Sequence, residues 1–117
     1  MQIVHENKQT NKEGVVYMIR GPNIDWGTIT LQPGERKSAH YHEKLAETFY
    51  TIEGVITFLL KDEELDIPVG TAIRLDPGEP HGLLNKTGQR AKLIFIKEQY
   101  IPEDKKSWII PEDKKSL

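Results

Sequence analysis

The chain has 117 residues, with 16 lysines and arginines against 18 aspartates and glutamates, and its formal net charge at neutral pH is −2. This length suits a single hydrophobic core, and the slightly acidic balance argues against nucleic acids or anionic membranes as partners, because both require a clustered positive field. The absence of cysteine excludes disulfides and thiolate metal ligands.

The predicted elements are nearly all short β-strands. Each is rich in β-branched or aromatic residues, and glycine, proline, asparagine and aspartate residues separate it from the next one. In chain order, the predicted strands span residues 15–19, 26–31, 38–42, 47–52, 55–60, 65–69, 72–75, 82–84 and 91–96. Strands of this length and spacing predict one all-β sandwich or barrel. We assign residues 13–100 to this barrel, residues 1–12 to an N-terminal arm and residues 101–117 to a C-terminal tail.

Two of the predicted strands, 55–60 and 91–96, are apolar on both faces. One face of each strand can fill the interior of a barrel, and the other face needs a cover. We therefore predict a homodimer, with a chain terminus or an unrecognised helix as the alternative cover. The sequence has no apolar segment of membrane-spanning length, and its first ten residues lack a signal-peptide core, so we predict a cytoplasmic location.

The C-terminal tail contains a duplication. Residues 101–107 and residues 110–116 both read IPEDKKS, and Trp108 and Ile109 lie between the two copies. Two copies are too few for a solenoid. Two interpretations remain, a swapped or packing arm in the dimer that docks through Trp108 and Ile109 or a partly mobile polar tail. The proline and the charged residues favour the second interpretation for residues 111–117.

Three of the four histidines and one glutamate form a pattern typical of metal ligands. His40 and His42 alternate along the predicted strand 38–42, so their side chains project from the same face. Glu47 opens the next predicted strand, and His81 follows a Pro-Gly turn. A lone His-x-His pair is more often solvated than ligating, but three imidazoles with one carboxylate are a usual ligand set for a divalent transition metal.

Glycines and prolines at fixed distances frame these candidate ligands in two patterns. The residues of the first pattern are Gly34, His40, His42, Glu47 and Gly54. The residues of the second pattern are Gly70, Asp76, Pro77, Gly78, His81 and Asn85. Together they resemble the two signature motifs of the cupin superfamily over residues 34–85, with Asp76 at a position where that family usually has proline.

The resemblance implies both a fold and a site. Cupins are small antiparallel jelly-roll barrels whose metal ligands point inward, so His40, His42, Glu47 and His81 are implied to be the ligands. The family includes dioxygenases, decarboxylases, sugar isomerases and epimerases, sensor domains and storage proteins. The fold does not choose among these activities.

The predicted ligand set limits the metal and its chemistry. One carboxylate and three neutral imidazoles leave a divalent ion with a net charge near +1, which favours a ligand that is anionic and chelating. Iron, manganese, nickel and cobalt retain about two open positions, whereas four protein ligands can close the tetrahedral shell of zinc. We therefore predict one divalent transition metal per chain, with zinc the least suited of the five.

Residues that contact a substrate are less well defined by the sequence. The candidates are Phe49, Thr51, Arg74, Leu83 and Asn85. Phe49 and Thr51 project from the same strand face as Glu47, and Leu83 and Asn85 from the same face as His81. Arg74 is a cation inside an apolar run. The alternatives are plain barrel core for Phe49 and Leu83 and a solvent-facing position for Arg74.

Two functions fit these observations. The first is a small metalloenzyme that acts on a polar or anionic small molecule, either by isomerising or epimerising a sugar-like substrate or by oxygenating a substrate. A sugar phosphate would need a cluster of basic residues inside the barrel. The sequence provides at most Arg74 and Lys92 as candidates, which weakens the hypothesis of a sugar-phosphate substrate. The second is a non-catalytic module that binds a small molecule.

Overall fold

The structure is a computed structural model, and it describes residues 1–109. Within that range the chain forms one 3-10 helix, Glu6–Lys8, and eleven β-strands. In chain order the strands are β1 (Asn11–Lys12), β2 (Val15–Arg20), β3 (Asp25–Leu31), β4 (Arg36–Tyr41), β5 (Glu47–Glu53), β6 (Val55–Leu60), β7 (Glu64–Pro68), β8 (Ala72–Leu75), β9 (His81–Leu84), β10 (Ala91–Lys97) and β11 (Lys106–Ser107).

The strands form two antiparallel sheets that face each other. One sheet has six strands in the order β1-β2-β3-β10-β5-β8, and the other has five in the order β11-β4-β9-β6-β7. Neighbours in both sheets pair in antiparallel register. This arrangement confirms the prediction of an all-β antiparallel barrel of the jelly-roll type.

The hydrophobic core lies between the two sheets. Its buried members are Leu31, Phe49, Ile56, Phe58, Ile67, Leu75, Leu83, Ala91, Leu93 and Phe95. Along β10 the side chains of Ala91, Leu93, Phe95 and Lys97 are buried, and those between them are only partly buried. The inward-facing row therefore passes from apolar residues to a lysine, and polar groups gather at that end of the barrel.

The C-terminal tail packs along the five-stranded sheet. Strand β11 pairs with β4, and the Trp108 amide donates to the Ala39 carbonyl at 3.0 Å. The Trp108 side chain packs beside Ala39, Leu59 and Leu84. The tail of the same chain therefore covers part of the outer face of β6, which was the alternative to a second subunit. The second IPEDKKS copy lies outside the described residues.

The N-terminal arm packs against the outside of the six-stranded sheet. The Glu6 carboxylate accepts hydrogen bonds from Thr28 Oγ1 at 3.0 Å and from Lys92 Nζ at 2.7 Å. Lys92 is therefore engaged on the outer surface of the barrel. The two-residue strand β1, which lies within the predicted arm, pairs with β2.

Across residues 1–109, the structure contains no helix with the length and apolar character needed to cross a bilayer.

Candidate metal centre

The four residues that the sequence nominates as ligands lie together at the polar end of the barrel. His40 is on β4, His42 directly follows it, and Glu47 and His81 are the first residues of β5 and β9. One potential ligand atom from each residue lies within 4.8 Å of the other three. His42, Glu47 and His81 are almost fully buried, and His40 is half-buried.

Backbone contacts bring the two halves of this cluster together. Antiparallel pairing of β4 with β9 places His40 directly opposite His81. The amide of Gly78, in the turn before β9, donates to the His42 carbonyl at 2.6 Å. Gly78 has a φ of 86°, a left-handed conformation that favours glycine, so this residue type suits the turn that holds His42.

Two of the histidine rings are oriented by carbonyl oxygens. His42 Nδ1 contacts the backbone oxygen of Asp104, and His81 Nδ1 lies 3.1 Å from the backbone oxygen of Glu79. A carbonyl only accepts, so each Nδ1 carries a hydrogen, and Nε2 is the ring atom left to bind a metal. These Nε2 atoms lie 2.9 Å (His42) and 3.4 Å (His81) from Glu47 Oε1.

This arrangement fits a bound cation. Neutral imidazole nitrogens and a carboxylate oxygen are all acceptors, and facing acceptors are stabilised by a positive ion between them. The buried Nε2 of His81 forms no hydrogen bond with any described residue. Three nitrogen donors and one carboxylate oxygen suit a divalent transition metal.

The electrostatics favour the ligating forms of two members of the cluster. Burial, reinforced by the nearby His81 and Lys105, lowers the pKa of His40 to about 3, so this imidazole is neutral at pH 7. Burial alone would raise the pKa of Glu47, but the two histidines beside it outweigh burial and lower the pKa to about 2. A neutral imidazole and an ionised carboxylate are the states that bind metal.

Asp104 holds the loop between two of the candidate ligands. Its carboxylate accepts hydrogen bonds from the amides of Glu43, Lys44 and Leu45 at 2.8, 2.9 and 3.0 Å. Burial would raise the pKa of Asp104, but these three amides lower it. One tail residue therefore fixes the loop with its side chain and the His42 ring with its carbonyl. Sequence reasoning missed this role, because the only local signal was the duplicated segment.

A cavity of about 280 Å³ opens beside the cluster. Its apolar wall includes Val15, Ile29, Phe49, Leu83 and Phe95. Its polar wall includes three of the candidate ligands, His40, Glu47 and His81, together with Tyr17, Lys37, Lys97 and Lys105. A small molecule in this cavity would therefore contact the candidate metal site and several basic residues at once.

The candidate substrate contacts divide into two groups. Phe49 and Leu83 line the cavity, whereas Thr51, Arg74 and Asn85 are not among its lining residues. Thr51 is fully buried and donates from Oγ1 to the Ile67 carbonyl at 3.0 Å.

Asn85 and Arg74 have structural partners of their own. The Asn85 amide group is buried and donates to the carbonyls of Leu31 and Gln89 at 3.0 and 2.7 Å, which ties two turns together. The exposed Arg74 guanidinium binds the Glu98 carboxylate at 2.7 Å and also contacts Asp76. Both side chains are thus committed to contacts outside the cavity.

Sequence reasoning also missed the basic residues of the cavity. It considered Arg74 and Lys92, which both lie elsewhere, and overlooked Lys37, Lys97 and Lys105. Lys97 is 9% exposed and donates from Nζ to the Tyr17 hydroxyl oxygen at 2.8 Å. A signal was present, because Lys97 continues the alternation of Leu93 and Phe95, one residue beyond the predicted strand.

Comparisons with known proteins place the chain in a family. Residues 27–97 match the family model described as the cupin domain. The tetracenomycin polyketide synthase protein TcmJ of Streptomyces glaucescens is 30% identical over 69 residues, which cover 59% of this chain. The match spans 46% of TcmJ, less than half the length of that relative.

Two solved structures show the same fold at low sequence identity. An uncharacterised conserved protein with a double-stranded β-helix domain, from Klebsiella pneumoniae, has a TM-score of 0.80 at 13% identity and covers 93% of this chain and 98% of its own. The polyketide cyclase RemF of Streptomyces resistomycificus has a TM-score of 0.75 at 19% identity and covers 97% of this chain and 89% of its own. By its family match, its two-sheet barrel and its histidine–glutamate cluster, the chain belongs to the cupin family.

Proposed function

We propose that this protein is a metal-dependent enzyme that acts on a small polar or anionic molecule. The observation that carries the proposal is the convergence of four potential ligand atoms within 4.8 Å of one another, with three of the four residues lining a cavity. His40, His42, Glu47 and His81 would hold one divalent ion per chain. Iron, manganese, nickel or cobalt suits four protein ligands with open positions better than zinc does.

The chemistry divides between the metal and the other cavity residues. A bound divalent ion would supply a Lewis acid that polarises an oxygen of the ligand. Tyr17 and Lys97 provide a group for proton transfer, since the ammonium donates to the phenol oxygen and leaves the hydroxyl hydrogen for another acceptor. Isomerisation or epimerisation of a sugar-like molecule needs such a transfer, and the Tyr17–Lys97 hydrogen bond favours this version of the proposal.

Oxygenation is the second version, and the apolar wall formed by Phe49, Leu83 and Phe95 supports it. A polyketide substrate is suggested by the names of TcmJ and RemF. However, a cavity of about 280 Å³ holds roughly nine groups the size of a water molecule, so a polyketide long enough to be cyclised would extend beyond it. A non-catalytic binding protein would use the same cluster without turnover.

We also propose that the protein is a cytoplasmic homodimer. Tyr50 and Ile52 on β5 are 42% and 41% exposed, and the partly buried Ile94 and Ile96 lie beside them on the outer face of the six-stranded sheet. A second copy would cover this apolar face. Light scattering on the purified protein should give twice the chain mass, and Ile96→Glu should give the mass of one chain. A monomeric wild type contradicts the dimer.

The decisive experiment is elemental analysis of untagged protein purified without a chelator. We expect close to one transition-metal ion per chain in the wild type and near zero in Glu47→Gln. Glu53→Gln is the matched control, because Glu53 is the last residue of the same strand and pairs with Arg90 at the surface. Absence of metal, even after incubation with each of the four ions, contradicts the proposed function.

The activity of the metal-loaded protein then separates the remaining versions. Incorporation of deuterium from heavy water beside a substrate carbonyl indicates isomerisation, and consumption of O₂ indicates oxygenation. Saturable binding without either change indicates a binding module. Tyr17→Phe removes the phenol while keeping the ring, so it should reduce deuterium incorporation if isomerisation is the reaction and leave O₂ consumption largely unchanged otherwise.

A further inference from the structure

The cavity has a positive wall beside the candidate metal site. Lys97 lies cross-strand from Glu47 in the β10–β5 pair, and its long side chain is almost fully buried. Lys105 reaches the same cavity from the tail, and Lys37 reaches it from β4. Three lysines from three separate segments therefore line a space in which Glu47 is the only carboxylate among the lining residues.

These ammonium groups have few negative partners of their own. The Nζ of Lys97 donates to the neutral hydroxyl of Tyr17, and the Nζ of Lys37 contacts the backbone oxygen of Glu13. The Lys105 amide donates to the Glu103 carbonyl at 2.9 Å, but within residues 1–109 its ammonium group forms no hydrogen bond or ion pair. Partial burial and the positive charge of Lys97 lower the pKa of Lys105, although the Glu47 carboxylate opposes them. Both lysines line the same cavity.

The excess positive charge increases when a metal binds. Three lysines and Glu47 leave two unbalanced positive charges in the cavity wall, and a divalent ion adds two more. A buried cation such as Lys97 is unfavourable without a counterion, and a ligand that brings negative charge relieves both its desolvation and the repulsion between the lysines. An ammonium has three donors, so Lys97 can bind an anion while keeping its hydrogen bond to Tyr17.

We propose that Lys97 and Lys105 form an anion subsite, and that the ligand of the metal site is a small molecule that carries a second, anionic group. One end of this ligand chelates the metal through neighbouring oxygen atoms, and the other end carries a carboxylate or a phosphate that binds the two lysines. The proposal rests on the proposed function, because it assigns the substrate class of that same site. The cavity volume of about 280 Å³ has room for about nine water-sized groups, which suits an anion of this size.

Three probes that differ only in their second group can test this inference. Lactate has a hydroxyl and a carboxylate for the metal, malate adds a second carboxylate, and 3-phosphoglycerate adds a phosphate. Their affinities for the metal-loaded protein can be measured by calorimetry. We expect malate or 3-phosphoglycerate to bind about tenfold tighter than lactate or more, and the larger gain identifies the second anionic group.

Lysine variants locate the origin of that gain. Lys97→Met and Lys105→Met should each remove most of it, and Lys105→Met should change the lactate affinity less than about threefold. Lys86→Met is the matched control, since Lys86 lies outside the cavity and pairs with Glu64, and it should keep the full gain. Lys105 is exposed, so its variant remains informative if Lys97→Met folds poorly. Equal affinities for all three probes, or a gain that survives both substitutions, would overturn the subsite.

A different result separates failure of the subsite from failure of the proposed function. If the protein takes up no metal, the proposed enzyme is wrong, and the metal-free chain can still be titrated with 3-phosphoglycerate. Binding that disappears in Lys105→Met supports the anion subsite without the metal. No binding by the metal-free wild type in that case overturns the subsite as well.

Discussion

The two walls of the cavity are built in different ways. At the histidine wall, His81 lines the cavity and packs beside His42, both are buried short side chains, and each ring is oriented by a backbone carbonyl. At the lysine wall, long flexible side chains supply the charge, and Lys105 is exposed. A rigid wall suits an ion with strict coordination geometry, whereas flexible cations tolerate ligands of different shape. The difference indicates that the candidate metal site is preorganised and that the proposed anion subsite is adaptable.

Removal of a ligand at the rigid wall should have the largest effect. We expect His81→Ala to weaken metal binding by roughly a hundredfold or more, because loss of a supporting contact alone usually costs about 10–100-fold. The measurement is metal content after dialysis, together with a competition titration. His5→Ala is the control, since His5 is exposed and lies outside the cluster. Unchanged metal content in His81→Ala would mean that the ion binds elsewhere.

The duplicated tail offers a test of how the rigid wall is supported. Deletion of residues 101–109 joins Tyr100 to the second copy, so the sequence IPEDKKS again follows Tyr100, with Leu117 in place of Trp108. We expect this deletion to retain metal, because the substituted copy again supplies an aspartate to cap the loop at residues 43–45. Deletion of residues 101–117 should weaken metal binding by about 10–100-fold, since both copies are lost.

Deletion of residues 110–117 removes only the second copy and should leave metal binding unchanged. The three truncations can be compared by the same competition titration. Equal metal affinity in the proteins lacking residues 101–109 and residues 101–117 would contradict a supporting role for Asp104.

The stability of the metal-free protein should depend on pH through His40 and Glu47 at the histidine wall. Burial holds the pKa of His40 at about 3, against 6.5 for the ordinary group, so between these values the unfolded chain binds a proton that the folded chain does not. The free energy of unfolding should therefore fall as the pH is lowered from about 6.5 towards 3. Glu47, with its pKa lowered from 4.5 to about 2, adds a second loss as the pH falls below about 4.5.

Urea titrations of metal-free protein across this pH range provide the measurement. His40→Gln should remove the part of the loss that begins near pH 6.5 and leave the part below pH 4.5. His5→Gln, with its exposed imidazole, should follow the wild type. Constant stability of the wild type between pH 6.5 and 4.5 would contradict the neutral buried state of His40.

The smallest effect should come from the adaptable wall. Lys105 is exposed and its ammonium group forms no hydrogen bond within residues 1–109, so we expect Lys105→Met to change the free energy of unfolding by less than about 0.5 kcal/mol. Thermal or urea unfolding gives this value. If Lys105→Met stabilises the protein by much more than this amount, repulsion between Lys105 and Lys97 destabilises the folded state substantially, which would contradict an adaptable subsite.

Much of the fold follows from local patterns in the sequence. The nine strands from β2 to β10 were predicted within about two residues at each end, because alternation and turn residues act over short distances. The strands β1 and β11 were not predicted. Each has two residues, Asn11–Lys12 and Lys106–Ser107, and polar pairs of this length carry no periodic signal.

The candidate site was predictable where its members are close in sequence. His40, His42 and Glu47 lie within eight residues, and His81 is marked by its turn. The residues that support the site, such as Asp104, depend on contacts between distant segments. The pairing of distant strands cannot be read directly from a single sequence. Asp104 reaches a loop about 60 residues earlier in the chain, and Lys105 enters the cavity only because β11 pairs with β4.

The position of Trp108 makes the tail visible to optical measurement. The chain has two tryptophans, and Trp26 lies on β3 of the six-stranded sheet, whereas Trp108 rests against Ala39, Leu59 and Leu84 on the other sheet. An indole that leaves such an apolar surface for water emits at longer wavelength. In a Trp26→Phe background, the fluorescence of Trp108 would therefore report undocking of the segment that orients His42, without any added label.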